Sequence, residues 1–247
     1  MTKKVAFATQ KGGVGKTTLT VLTASYLHYV KDYDVAIIDC DYPQNSIHEM
    51  RERDLKMAME DDYYKQKAYQ QFTTLNKKGY MVVESSPEEA IADGEYVVKE
   101  LQPDFIFFDI PGTINNQHIV ETLSDMDYII ALISADRVVV ESTLQFVVSL
   151  NDNFIKARKT RIKDIFFLWN LVDGREKNEL YQVYEEVITK LGFPILKTFI
   201  PDSKRFRREQ SNNHKAVFRS TIFPADKNLV KGSNLELLIN ELLEVLK

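Results

Sequence analysis

At 247 residues, with 44% hydrophobic and 28% charged residues, the chain has the composition of an ordinary soluble globule and enough length for a substantial core. A formal net charge of −4 excludes a globally basic nucleic-acid binder, so any hold on a polyanion has to come from local patches. The single cysteine, Cys40, excludes an internal disulfide and a CxxC site, and there is no basic-then-apolar leader and no apolar stretch of about 18 residues to suggest secretion or a membrane span.

Taken in order, the chain opens on an apolar run, Val5–Ala8, that ends in the glycine-rich Lys11-Gly12-Gly13-Val14-Gly15-Lys16-Thr17-Thr18 and passes into helical sequence. Gly12, Gly13 and Gly15 can take φ > 0 and carry no Cβ, so successive backbone N–H groups can converge on an anion. The helix starting near Lys16 adds unpaired N–H groups and the positive end of its dipole. Lys16 then supplies a point charge for β- and γ-phosphates, and the Thr17 hydroxyl is placed to ligate Mg²⁺. Past the turn, Leu19, Leu22, Tyr26 and Val30 fall on one helical face.

The second apolar run, Val35–Ile38, ends in Asp39-Cys40-Asp41-Tyr42-Pro43-Gln44-Asn45. In an open α/β sheet ligands gather outside the carboxyl ends of the strands, so one of Asp39 and Asp41, near a γ-phosphate, can orient a water or sit in the outer shell of Mg²⁺. Residues 47–78, dense in charge and tyrosine, read as helices on the rim of a sheet. Further apolar runs, at Met81–Val83, Phe105–Phe108, Tyr128–Ile133, Ile165–Trp169 and Ile195–Ile200, are continuous rather than alternating, as in strands buried on both faces. Helices are expected from Ser86-Pro87-Glu88-Glu89, with its capping-box pattern, and over Asn116–Leu123, Glu141–Phe154, Lys177–Leu191 and Asn234–Leu246. Together these elements predict a single α/β domain over 1–247, a doubly wound, mostly parallel sheet with helices on both faces. The fourth run ends in Asp109-Ile110-Pro111-Gly112, a strand-end carboxylate before a tight turn that can hold Mg²⁺ through water. Two basic clusters stand out, Lys156/Arg158/Lys159/Arg161/Lys163 and Lys204/Arg205/Arg207/Arg208; each is either a polyanion-binding face or a solvated charged surface. His28, His48, His118 and His214 show no ligand spacing.

The run KGGVGKTT departs from G-x-x-x-x-G-K-[ST] by having Gln10 where the first glycine belongs, and it resembles the deviant Walker A of the MinD/ParA ATPases. Asp39-Cys40-Asp41-Tyr42-Pro43-Gln44 resembles the DxDPQ segment of that family, with Tyr42 inserted, and Asp104–Gly112 resembles its Walker B. The resemblance implies a P-loop NTPase fold, ATP and Mg²⁺ as ligands, Lys11, Lys16 and Asp41 as catalytic residues, and Thr17, Asp39 and Asp109 around the metal. It also implies nucleotide contacts from Gly12, Gly13, Val14, Gly15 and Thr18, with Asn170, Pro201 and Asp202 framing the adenine. Lys11 would reach across an ATP-dependent sandwich dimer to the other subunit's nucleotide.

One cysteine cannot supply the cluster ligands of the iron-protein branches, and the acidic Asn234–Lys247 segment suits a helix docked on its own core better than one lying on anionic lipid. What remains resembles the short partition ATPases, and Asp-Cys-Asp-Tyr-Pro-Gln-Asn-Ser-Ile resembles versions carried on integrative conjugative elements. That branch implies a cytoplasmic protein, nucleoid-associated when ATP-bound, that binds duplex DNA without sequence preference through Lys204, Arg205, Arg207 and Arg208 and is stimulated by a centromere-binding adaptor. A nucleotide-switched positioning factor acting on a protein scaffold without DNA stays open as the second reading.

Overall fold

A computed structural model describes residues 1–112, 116–156, 160–174, 179–210 and 216–247. Its centre is a six-stranded sheet formed by β1 (Lys3–Ala8), β2 (Val35–Asp39), β3 (Met81–Glu84), β4 (Phe105–Asp109), β5 (Tyr128–Ile133) and β6 (Asp164–Trp169), in the order β3-β2-β4-β1-β5-β6. Every neighbouring pair is parallel. Successive residues of each central strand face opposite layers: Val5, Phe7, Phe105 and Phe107 enter one core, and Ala6, Ala8, Ile106 and Phe108 the other. Both faces are covered, which is why these strands read as unbroken apolar runs.

The first core is closed by α1 (Lys16–Tyr29) and α9 (Leu235–Val245), the second by α4 (Ala90–Leu101), α5 (Gln117–Ser124), α6 (Arg137–Leu150) and α7 (Glu179–Lys190). At Gly94 in α4 an added Cβ would stand 2.6 Å from the Phe108 ring, so only glycine lets this helix lie so close to β4. The acidic terminal helix α9 is docked as the sequence suggested, burying Leu235, Leu238, Ile239 and Leu242.

Three expectations need correction. Ile195–Ile200 is not a strand; beside β6 it forms the isolated bridges Phe167–Ile195 and Val172–Pro201 and a bond from Ile200 N to Trp169 O at 2.9 Å, without a continuous ladder. The physical reason is visible in α9, where the Glu241 carboxylate accepts the consecutive N–H groups of Lys197 and Thr198 at 2.6 and 2.8 Å and so takes them from the ladder. Ser86–Glu89 forms a turn that precedes α4, and the regular helix starts only at Ala90. Helix α6 begins earlier than expected, at Arg137: the Asp136 carboxylate accepts Val138 N–H at 2.8 Å and caps the first turn. Lys177, in the stretch expected to open α7, lies outside the described residues.

The 47–78 stretch folds as α2 (Ser46–Glu60) and α3 (Asp62–Leu75) beside the β3 edge. Their apolar faces are thin, and polar bonds to the segment 216–223 compensate. Asp54 is buried and accepts from Ser220 Oγ, Thr221 N and Thr221 Oγ1 at 2.9, 2.6 and 2.8 Å. Arg51 donates to Thr221 O at 3.1 Å and Tyr80 O at 2.8 Å. Beyond this segment, the short α8 (Lys227–Val230) leads into α9. Replacing Asp54 by Ala leaves three buried donors unpaired. The expected loss is about 3 kcal/mol, read as a fall of roughly 6–12 °C in melting temperature; an unchanged melting curve would show that the Arg51 bonds and apolar contacts hold α2 without Asp54.

Candidate functional site

The carboxyl ends of β1, β2 and β4 open onto one cavity of ≈530 Å³, walled by the glycine loop, the start of α1, Asp41, Tyr42 and the Pro111–Gly112 turn. The loop turns through two glycines with positive φ, Gly13 at 78° and Gly15 at 96°, and Gly15 caps α1. A side chain at Gly15 is excluded twice, by its φ and by Asn170, whose Nδ2 would lie 2.8 Å from an added Cβ. That same Nδ2 donates to Val14 O at 2.6 Å, while Asn170 N–H donates to Ile133 O at 2.7 Å. Asn170 therefore bolts the loop to the ends of β5 and β6.

Lys16 is buried and lies against the turn after β4: an added Cβ at Gly112 would meet its Nζ at 3.2 Å and Gly12 N at 3.4 Å. Burial pushes its pKa down, and the negative charges of Asp109 and Asp41 oppose that shift. Thr17 Oγ1 donates to Asp109 Oδ2 at 2.7 Å. Asp109 is wholly buried and its pKa is raised to about 7, by desolvation first and then by the charges of Asp39 and Asp41, with the Thr17 bond and Lys16 pulling the other way. Asp39 sits directly beside it in the β2–β4 register.

Asp39 does something that strand-end position alone did not foretell. Its Oδ2 accepts the N–H groups of Ile47 and His48, both at 2.9 Å, and so caps α2 from the end of β2. The remaining oxygens, Asp39 Oδ1 and Asp109 Oδ1, are buried with no hydrogen-bond partner among the described residues. No group of three or more His, Cys, Asp or Glu side chains that could cage a metal occurs among the described residues. A hydrated cation fits this donor set: the Thr17 hydroxyl, a spare carboxylate oxygen of Asp109 and phosphate oxygens supply what Mg²⁺ takes.

Asp41 lines the cavity and its pKa is raised by burial, opposed by Lys16. The inserted Tyr42 is absorbed in a turn with a cis Tyr42–Pro43 peptide, closed by Gln44 N and Asn45 N donating to Asp41 O at 2.8 and 3.0 Å. Lys11 is exposed and has no ion pair among the described residues. Pro201 and Asp202 pair with Val172 beyond the end of β6 and do not line the cavity.

The basic segment Lys204–Arg208 is not uniform. Arg205 donates from Nη1 to Leu229 O at 2.9 Å and Lys231 O at 2.6 Å, and from Nε to Ser203 Oγ at 3.1 Å, so its guanidinium is spent inside the fold. Lys204, Arg207 and Arg208 are exposed, with no ion pair among the described residues. In the other cluster Lys156 pairs with Asp152, Arg161 with Asp125 and Lys163 with Asp127, at 2.7, 3.8 and 3.5 Å; Arg158 and Lys159 lie outside the described residues, as does His214. His28 is buried between Tyr33 O and Lys78 O, and Cys40 is packed with its Sγ on Asp109 O.

Arg219 escaped the sequence reading: its Nη1 donates to Thr18 Oγ1 at 2.7 Å. The available signal was an arginine between the apolar pairs Val217-Phe218 and Ile222-Phe223.

The Asn170 brace makes a prediction. Asn170→Ala leaves Val14 O unpaired and loosens the loop, so affinity for ATP and for inorganic tripolyphosphate should both fall about tenfold in calorimetry. A loss confined to ATP would assign Asn170 to the base instead.

The family model for the CobQ/CobB/MinD/ParA nucleotide binding domain matches residues 5–217. An uncharacterised protein of Borreliella burgdorferi is 48% identical over 60 residues, a match that spans 22% of this chain and 24% of that protein. Among solved structures, a Borrelia burgdorferi B31 protein assigned to plasmid partition and bound to AMPPNP superposes with a TM-score of 0.65 at 19% identity, over 99% of this chain and 100% of that one. The septum site-determining protein MinD of Pyrococcus horikoshii OT3 with Mg-ADP follows at 0.62 and 16%, over 99% and 96%. At these identities the structures establish likeness of fold, and the match over residues 5–217 establishes the family: the chain belongs to the CobQ/CobB/MinD/ParA nucleotide-binding domains.

Proposed function

We propose that the protein is an ATPase of partition type, whose ATP-bound form pairs as a sandwich dimer, holds duplex DNA without sequence preference and serves the segregation of a DNA molecule together with a DNA-binding adaptor. The observation that carries the reading is the contrast between the two lysines of one loop. Lys16 is buried facing carboxylates, where it meets the terminal phosphates of its own nucleotide; Lys11 is exposed, with no task in its own cavity. The fold shared with the Borrelia structure, a protein assigned to plasmid partition, supports the choice of branch.

In this reading the backbone N–H groups from Gly12 to Thr18 cradle the phosphates, and Asn170, Pro201 and Asp202 lie on the base side. Mg²⁺, held by the Thr17 hydroxyl and through water by Asp109, with Asp39 behind it, would offset phosphate charge. Asp41 orients a water in line with the γ-phosphorus; its oxygen bonds phosphorus as the bond to the bridging β–γ oxygen breaks, giving ADP and phosphate. Lys11 of one protomer adds positive charge at its partner's phosphates as that negative charge shifts.

Lys11→Ala should keep monomeric nucleotide binding and lose ATP-dependent dimerisation and turnover. Sedimentation with a non-hydrolysable ATP analogue reads this, and a dimer of undiminished affinity would remove the trans role.

DNA binding falls to Lys204, Arg207 and Arg208, since Arg205 is engaged elsewhere. Binding to arbitrary duplex should need ATP and weaken with salt at a log–log slope of about −0.9 per phosphate contacted. Arg207→Ala with Arg208→Ala should flatten that slope and leave DNA-free turnover unchanged. If the wild-type dimer ignores duplex DNA at low salt, the positioning factor acting on a protein scaffold replaces this reading.

A further inference from the structure

One hydrogen-bonded path leaves the phosphate cavity and ends at the basic segment. Thr18, in the cavity wall, accepts from Arg219 Nη1 at 2.7 Å. Arg219 Nη2 donates to Glu209 Oε1, and Glu209 directly follows Arg208. The main chain repeats the connection: Phe218 N and Arg219 N both donate to Arg208 O, at 3.0 and 2.9 Å. Arg219 Nε is buried without a partner among the described residues, so the guanidinium has a donor in reserve. On its far side Glu209 pairs with Arg53 of α2 at 3.3 Å.

We propose that Arg219 is a positioning residue that couples occupancy of the phosphate cavity to the DNA-facing segment Lys204–Arg208, through Thr18 on one side and Glu209 on the other. The proposal rests on the nucleotide and DNA reading above. Its physics is that of a shared fork. A hydroxyl has one proton, and a hydroxyl that already accepts from a guanidinium turns that proton outward as a polarised donor. A phosphate oxygen accepting a hydrogen bond from the Thr18 hydroxyl strengthens the Thr18–Arg219 bond and draws the guanidinium from Glu209. The tie between Arg219 and residues 208–209 then shifts the cationic segment. Linkage makes the effect reciprocal, so DNA held by that segment tightens nucleotide.

The test is a double-mutant cycle on the full chain, with a non-hydrolysable ATP analogue titrated by calorimetry. Thr18→Val and Arg219→Gln should each lower affinity about tenfold, and the double variant should be no weaker than either, because both remove one unit. Arg219→Lys keeps a donor for Thr18 but cannot bridge to Glu209. It should recover analogue affinity while the analogue-induced gain in duplex affinity stays lost. A purely structural role would instead lower the melting temperature of the nucleotide-free chain, and lysine would restore binding and DNA gain together. If Arg219→Gln fails to fold, the cycle is run with Thr18→Val against Arg219→Met, which keeps most of the length of the side chain and removes the donor to Thr18. Additive losses, or wild-type analogue affinity in Arg219→Gln, overturn the proposal. A wild type that binds the analogue but no duplex sinks the partition reading, and the nucleotide cycle still decides the Thr18–Arg219 half. A wild type that binds no analogue overturns both.

Discussion

Lys16 is a cation held out of water at the end of a parallel sheet, and the rest of the site follows from the need to compensate it. An ammonium in such surroundings keeps its charge only if negative charge is near. Asp109 and Asp41 supply it here, and both have their own pKa values raised by the same burial. Asp39 and Asp109, side by side in the β2–β4 register and each with an oxygen unpaired among the described residues, are costly on their own. The cluster is therefore poised rather than settled: a cation next to Asp109 and an anion next to Lys16 each relieve the charges already present. A phosphate ligand arriving with its metal satisfies both at once, and this is why the geometry suits a nucleotide better than a free anion or a free metal.

The same cluster is wired into the scaffold in two directions. Asp39 spends one oxygen on the N-terminus of α2, so the element that ends β2 in the site also positions the helix beyond it. Helix α2 in turn is clamped by Asp54 and Arg51 onto residues 220–221, and Ser25 of α1 and Tyr29 of α1 reach the carbonyls of Ser220 and Thr221. Segment 216–223 thus threads between α1, α2 and α3 as a strap held largely by polar bonds.

Legibility in the sequence divides along a physical line. The sheet was readable because β1, β2, β4, β5 and β6 bury both faces and so carry uninterrupted apolar runs. The loop was readable because Gly13 and Gly15 sit at positive φ that other residues rarely take, and because Lys16 and Thr17 follow at fixed spacing. What escaped depends on partners remote in the chain. Glu241 acts on Lys197 and Thr198 from 44 and 43 residues away, and no local pattern marks Ile195–Ile200 as robbed of its ladder. Arg205 looks like any other cation in its cluster until the carbonyls of Leu229 and Lys231 close on it. Arg219 meets Thr18 across a sequence separation of 201 residues.

That division bears on how a nucleotide can speak to a distant surface. In a sheet buried on both faces, displacement of the strands themselves is expensive, since every side chain is interlocked with a layer above or below. Polar straps are different. Their bonds can be exchanged one for another at small net cost, because a donor that leaves a carboxylate can take a phosphate instead. A polar strap that starts at the phosphate cavity and ends at an exposed cationic face runs through Thr18, Arg219 and Glu209, outside the rigid sheet. A fold whose core cannot yield has in that strap a route by which a change of one hydrogen-bond partner at the nucleotide reaches the surface.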